Sequence, residues 1–115
     1  MVMITNTTKN TVIATEHKKC KNILAKTFGL MLKSQIIPLV FIFKKEKIIP
    51  IHTLLVRKPI DLVYLNRQMR VVDLKENLIP YRFYTPKARA MFVIELPAGK
   101  IAESKTDLGN TVNFK

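Results

Sequence analysis

Tryptophan is absent from this sequence, cysteine occurs once and glycine only three times. A lone Cys20 cannot form an intramolecular disulfide, so the fold needs no oxidising compartment and a cytoplasmic location is expected. Gly29, Gly99 and Gly109 stand too far apart to build a glycine-rich phosphate loop. His17, His52 and Cys20 supply neither the four ligands nor the CxxC or HxxxH spacing of a closed zinc site, so no metal and no cofactor are expected. Long apolar runs are missing too. The most apolar stretch, Ile36 to Phe43, is too short to span a bilayer, and the polar Met1 to Asn10 lacks a signal-peptide core, so neither membrane insertion nor export is expected.

Acidic residues are scarce as well: eight face twenty lysines and arginines, for a formal net charge of +12. Such a balance favours anionic partners, whether nucleic acid, acidic protein or a membrane surface. The charge is uneven. Residues 1–58 hold 11 basic residues against Glu16 and Glu46, whereas residues 59–115 hold nine against six. All five arginines lie between positions 57 and 89, which is where bidentate anion recognition is expected. A length of 115 residues with 48% hydrophobic content suits one domain with one sizeable core. The division expected is a flexible N-terminal segment, 1–10, and a single β domain, 11–115.

The pattern of short β-rich runs between prolines sets the fold class. Thr11 to Thr15 reads as a strand, and Asn22 caps a short helix that ends at Gly29. Leu39 to Phe43 and Ile48 to Thr53 read as a hairpin across the polar Lys44-Lys45-Glu46-Lys47. Ile60 to Leu65 and Arg70 to Leu74 form a second hairpin around Asn66 to Met69. Met91 to Leu96 is a strand before a Pro97-Ala98-Gly99 turn, a short helical turn is expected near Lys100 to Ser104, and Thr111 to Phe114 is the last strand. Seven or so short strands with so little helix predict a mainly β fold, a small β-sandwich or barrel with one short α-helix near the N-terminus.

Four segments acquire a further meaning together: Phe28-Gly29-Leu30-Met31; His52-Thr53 followed by Arg57-Lys58-Pro59-Ile60-Asp61; Pro80-Tyr81-Arg82; and Glu95-Leu96-Pro97-Ala98-Gly99. In order and spacing the chain resembles domain-of-unknown-function family 192, also called uncharacterised protein family 0127, from about Thr11 to Phe114. The resemblance implies a jelly-roll-like β-sandwich with a short helix and no settled activity. It departs from the family pattern at Leu54-Leu55-Val56, where aromatics and a methionine are usual, and at Lys58, where an apolar residue is usual. Asn66 and Asn110 replace turn aspartates. Met69 replaces a turn glycine, a change that strains the backbone if its φ is positive, so a different turn type is expected there.

The best candidate site is His52 to Asp61, which brings an imidazole, a hydroxyl, a guanidinium and a carboxylate into an otherwise apolar stretch. In the leading reading a small anionic ligand binds at His52, Thr53, Arg57, Asp61 and Arg82, and no catalytic residue is assigned. The bland alternative has Asp61 cap the turn after Pro59 and pair with Arg57, while Glu95 accepts backbone N–H groups at the Pro97-Ala98-Gly99 turn. A second class of function is a basic nucleic-acid-binding module built on Tyr81-Arg82-Phe83-Tyr84, where rings alternate with a cation. Against it, two of the three rings are free to alternate into the core. A third is a hydrolase-like enzyme with His52 and Asp61 as acid and base.

Overall fold

The computed structural model describes residues 3–20, 37–53 and 56–114. Its strands are β1 (Ile4–Asn6), β2 (Thr11–Ala14), β3 (Lys18–Cys20), β4 (Leu39–Lys47), β5 (Ile51–His52), β6 (Ile60–Leu65), β7 (Val71–Leu78), β8 (Phe83–Tyr84), β9 (Ala90–Pro97) and β10 (Val112–Asn113), and one helix, α1 (Lys100–Ser104), is described. The helix expected at Asn22 to Gly29 lies outside the described residues. Among those described, the helix stands near the C-terminal end, where only a short helical turn was expected.

A five-stranded sheet in the order β3-β4-β9-β6-β7 forms the middle of the molecule, beside a three-stranded sheet, β10-β1-β2, and a two-stranded ribbon, β5-β8. The sheets do not close into a barrel, because β3 and β7 remain the outer strands of the large sheet. Both faces of that sheet are covered. This explains why all six residues of β6 (Ile-Asp-Leu-Val-Tyr-Leu) are buried and why the run is apolar rather than alternating. On one face Val40, Val63, Leu65, Ile94 and Leu96 pack with Ile4, Ile13, Ile101 and Val112. On the other, Phe41, Leu62, Tyr64 and Val93 pack with Ile49 and Val56. Residues 3–10 take part in the first of these cores: β1 pairs with both β2 and β10, and Ile4 and Asn6 are wholly buried.

Two local expectations are corrected. Lys44 to Lys47 is not a hairpin turn: β4 continues through it to pair Lys47 with Ala90, while β5 pairs with β8 in a separate ribbon. These polar residues belong to the end of a strand that runs past the core. There Lys47 Nζ sits 4.7 Å from the Phe43 ring centroid, and a Glu46 carboxylate oxygen accepts the Arg67 N–H at 2.7 Å. Nor does the turn at Met69 change to avoid positive φ. Met69 sits at φ 66, held by its N–H bond to the Asn66 carbonyl and by the Val112 N–H donated to its own carbonyl. Packing of its side chain against the core offsets a strain of about 1–2 kcal/mol.

Candidate functional site

The structure separates the five predicted site residues into three places. Asp61 is wholly buried in β6. One of its carboxylate oxygens accepts the Asn77 N–H at 2.9 Å; the other accepts the N–H groups of Gly99 at 3.0 Å and Ile101 at 2.9 Å. It thus ties the start of α1, whose cap residue Gly99 has φ 102, to the central sheet. This is the service expected of Glu95 at the Pro97-Ala98-Gly99 turn. It falls to Asp61 because Gly99 and Ile101 lie over the face of β6 to which Asp61 points.

Thr53, also wholly buried, holds the loop before β8. Its Oγ1 donates to the Ile79 carbonyl at 2.7 Å and accepts the Arg82 N–H at 2.9 Å. Its backbone N–H donates to the Arg82 carbonyl, and its carbonyl accepts the Tyr81 N–H. His52 lies beside this loop on β5, paired in register with Phe83, the two rings 6.2 Å apart. Arg82 is exposed, and one guanidinium N–H donates to the Tyr81 carbonyl at 3.2 Å. Arg57 is exposed on the segment before β6. His52, Thr53 and Arg82 are therefore brought together, whereas Asp61 serves the opposite face of β6, toward α1.

Two concavities accompany these groups. The larger, about 760 Å³, opens between Ala14–Glu16, Ile37–Pro38, Lys58–Pro59, Pro97–Ala98 and Lys100, where β2 and β9 end and β4 and β6 begin. Three of the six prolines line it, together with Lys58, Lys100 and one acidic residue, Glu16, and the Lys100 ammonium lies 3.5 Å from a carboxylate oxygen of Glu103. In the sequence those prolines register only as punctuation between strands. The N–H groups held by Asp61 flank Lys100, so the buried carboxylate fixes one rim of the groove. The smaller concavity, about 340 Å³, lies between the end of β7 and β8 and is lined by Lys75, Asn77, Arg82, Phe83 and Tyr84 among others. Beside it, the Tyr84 hydroxyl reaches both oxygens of Asp73, at 2.9 and 3.0 Å. Burial and that hydrogen bond push the Tyr84 phenol up to about 12.

Glu95 stands apart from every predicted role. It is buried in β9, in register with Leu39 on one side and Leu62 on the other, and has no hydrogen-bond or ion-pair partner among the described residues. Removal from water alone pushes its carboxyl from 4.5 up to about 8. Nothing in an isolated Glu-Leu-Pro tripeptide signals this. Only the pairing of β9 between two apolar strands does.

The family model DUF192, "Uncharacterized ACR", matches residues 3–114. A UPF0127 protein of Pyrococcus horikoshii is 35% identical over 114 residues, covering 97% of this chain and 98% of its own length. A UPF0127 protein of Pyrococcus furiosus is 33% identical over 111 residues, covering 95% of each. Among solved structures, a protein of unknown function from Novosphingobium aromaticivorans superposes with a TM-score of 0.84 at 18% identity, over 97% of this chain and 82% of that one. One called a putative transcription regulator, from Sinorhizobium meliloti, gives 0.87 at 15% identity, over 98% and 91%. At those identities the likeness establishes a shared fold.

Proposed function

This chain belongs to the DUF192 family of uncharacterised proteins, and we propose that it is a jelly-roll-like β-sandwich domain that binds a small anion in the proline-lined groove. The observation that carries this reading is the groove itself. Its volume of about 760 Å³ falls within the range of small-ligand sites, and its wall carries two lysines, Lys58 and Lys100, and one acidic residue, Glu16, with the Lys100 ammonium also 3.5 Å from a carboxylate oxygen of Glu103 at the rim. Proline backbones on its walls restrict the conformations the walls can adopt before binding, which lowers the entropy lost when a ligand orders them. Asp61 acts in this reading as a positioning residue, holding the backbone on both sides of Lys100, and Arg57 adds positive charge next to Lys58. With three N–H groups directed at its carboxylate, Asp61 has its lone pairs engaged in structure, which supports binding over acid–base chemistry at this residue.

Titration of the isotopically labelled protein with inorganic pyrophosphate and with succinate, followed by amide chemical shifts, tests the reading. Shifts concentrated at Thr15, Ala98 and Lys100, abolished in a Lys58→Ala/Lys100→Ala double variant, are expected. An unresponsive groove, or a response that persists without both lysines, would overturn it.

A further inference from the structure

Residues 79–84 form a surface that shares no residue with the groove. Tyr81 is 62% exposed and Phe83 72%, the two most exposed aromatic rings among the described residues, and Ile79 beside them is 41% exposed. Alternation into the core, the ordinary fate of such rings, therefore does not occur for this pair. Of the three rings in the segment only Tyr84 packs inward, against Tyr64 at 6.1 Å. The exposure is built into the backbone. Tyr81 adopts φ 63, a left-handed conformation that disfavours a residue with a Cβ, and it is kept there by the two-way hydrogen bonding of Thr53 to Ile79, Tyr81 and Arg82. A fully buried threonine thus fixes a loop that turns two rings toward water.

The charged residues that line the cleft beside those rings are cationic. Arg82 stands between them in sequence, and Lys75 joins Arg82 in lining the neighbouring cleft, which has no acidic residue in its wall. Of the two acids on β7, Asp73 is engaged by the Tyr84 hydroxyl and the Lys87 N–H, and Glu76, exposed between Lys75 and Asn77, is not part of the cleft wall. An occupant must therefore offer flat apolar faces and negative charge together. A single-stranded nucleic acid does so at every residue, with a base to stack and a phosphate to meet a cation. In a duplex the base faces are already stacked on one another and out of reach.

We infer that the 79–84 segment is a docking platform for single-stranded nucleic acid, on which Tyr81 and Phe83 stack bases while Arg82 and Lys75 contact phosphates. The net charge of +12 adds long-range attraction but does not select the site.

Because the chain contains no tryptophan, Phe83→Trp places a single tryptophan at the platform, excited selectively over the three tyrosines at the red edge of the absorption band. Addition of oligo(dT) or oligo(U) should quench its emission, and salt should reverse the quenching. Inorganic polyphosphate and polyglutamate, which carry charge without bases, should not quench it. In fluorescence anisotropy Phe83→Ala and Tyr81→Ala should each weaken oligonucleotide binding about tenfold. Arg82→Ala should lower the slope of log affinity against log salt by about one. Far-UV circular dichroism and thermal melting establish that each variant is folded. The inference fails if the folded ring variants bind as tightly as the wild type, if binding leaves the tryptophan emission unchanged, or if polyglutamate competes as well as oligonucleotide, which would instead mark an acidic-protein surface.

Discussion

The carboxylate of Asp61 accepts the backbone N–H of Ile101 at 2.9 Å across 40 residues of chain, and the same oxygen takes the N–H of Gly99. With the bond from Asn77 to the other oxygen, three buried or half-buried donors depend on one side chain. Asp61→Ala should lower stability by about 3–5 kcal/mol, since each donor loses a charged acceptor and gains no water in exchange. Asp61→Asn should also be harmful despite its matching shape, though less so than Ala, because its amide keeps one acceptor oxygen for Gly99 and Ile101 but sets an NH2 donor against the Asn77 N–H. Urea denaturation midpoints of the two variants decide this. An Asn variant close to wild type would show that the charge, and the second acceptor, matter little.

Thr53 fixes the loop before β8 through its hydroxyl as well as its backbone. Thr53→Val keeps the volume but leaves the Ile79 carbonyl and the Arg82 N–H without their buried partner, at a cost of about 2 kcal/mol. The damage should be local as well as global. Amide hydrogen exchange at Tyr81 and Arg82 should accelerate more than exchange in β6 or β9, and Thr53→Ser should restore it. Uniform acceleration across the large sheet would show that the loop is not anchored at this point.

At the opposite edge, Asn6 joins the two ends of the described chain. Its side-chain NH2 donates to Thr106 Oγ1 at 3.1 Å and to Asn110 Oδ1 at 2.9 Å, while its own Oδ1 accepts the Lys9 N–H at 3.0 Å. Asn6→Asp removes both donors and sets a carboxylate against two oxygen atoms. It should therefore be more destabilising at neutral pH than Asn6→Ala, which should cost about 2 kcal/mol. Thermal melts of the pair, run side by side, test the order.

Much of the β framework was legible because apolar runs flanked by turn residues read directly. The hairpin Ile60 to Leu65 with Arg70 to Leu74, the strand Met91 to Leu96 and the helical turn near Lys100 all appear, with boundaries shifted by a few residues. What misled was polarity. Lys44 to Lys47 is polar because the strand outruns the core, not because the chain turns, and the local sequence is the same in either case. Pairing partners were harder still, since Thr53 and Arg82, or Asp61 and Ile101, become neighbours only through sheet order. Strand alternation also left two of the three rings of Tyr81-Arg82-Phe83-Tyr84 free to turn inward. The backbone conformation of Tyr81, which sets their direction, depends on Thr53 and so has no signature within the segment itself.

Glu95 gives the last prediction, and its sign follows from its surroundings. Leu39 and Leu62 flank it in register, and of the ionisable groups near it the Tyr64 hydroxyl donates to the Ile49 carbonyl and stays neutral, its own pKa driven above the phenol range chiefly by burial. No cation among the described residues forms an ion pair with the carboxylate, so burial holds it protonated, with a pKa near 8 in place of 4.5. Between those two values the folded protein binds a proton that the unfolded chain has released. Stability should therefore fall as pH rises through this interval and level off above it, the reverse of a salt-bridged carboxylate. Glu95→Gln keeps the shape without the charge. It should flatten the profile and exceed the wild type on the alkaline side by on the order of 3 kcal/mol. Denaturant unfolding at about pH 5, 7 and 9 measures both curves, and a wild-type profile that is level or rises across that range would show the carboxylate to be ionised in the fold.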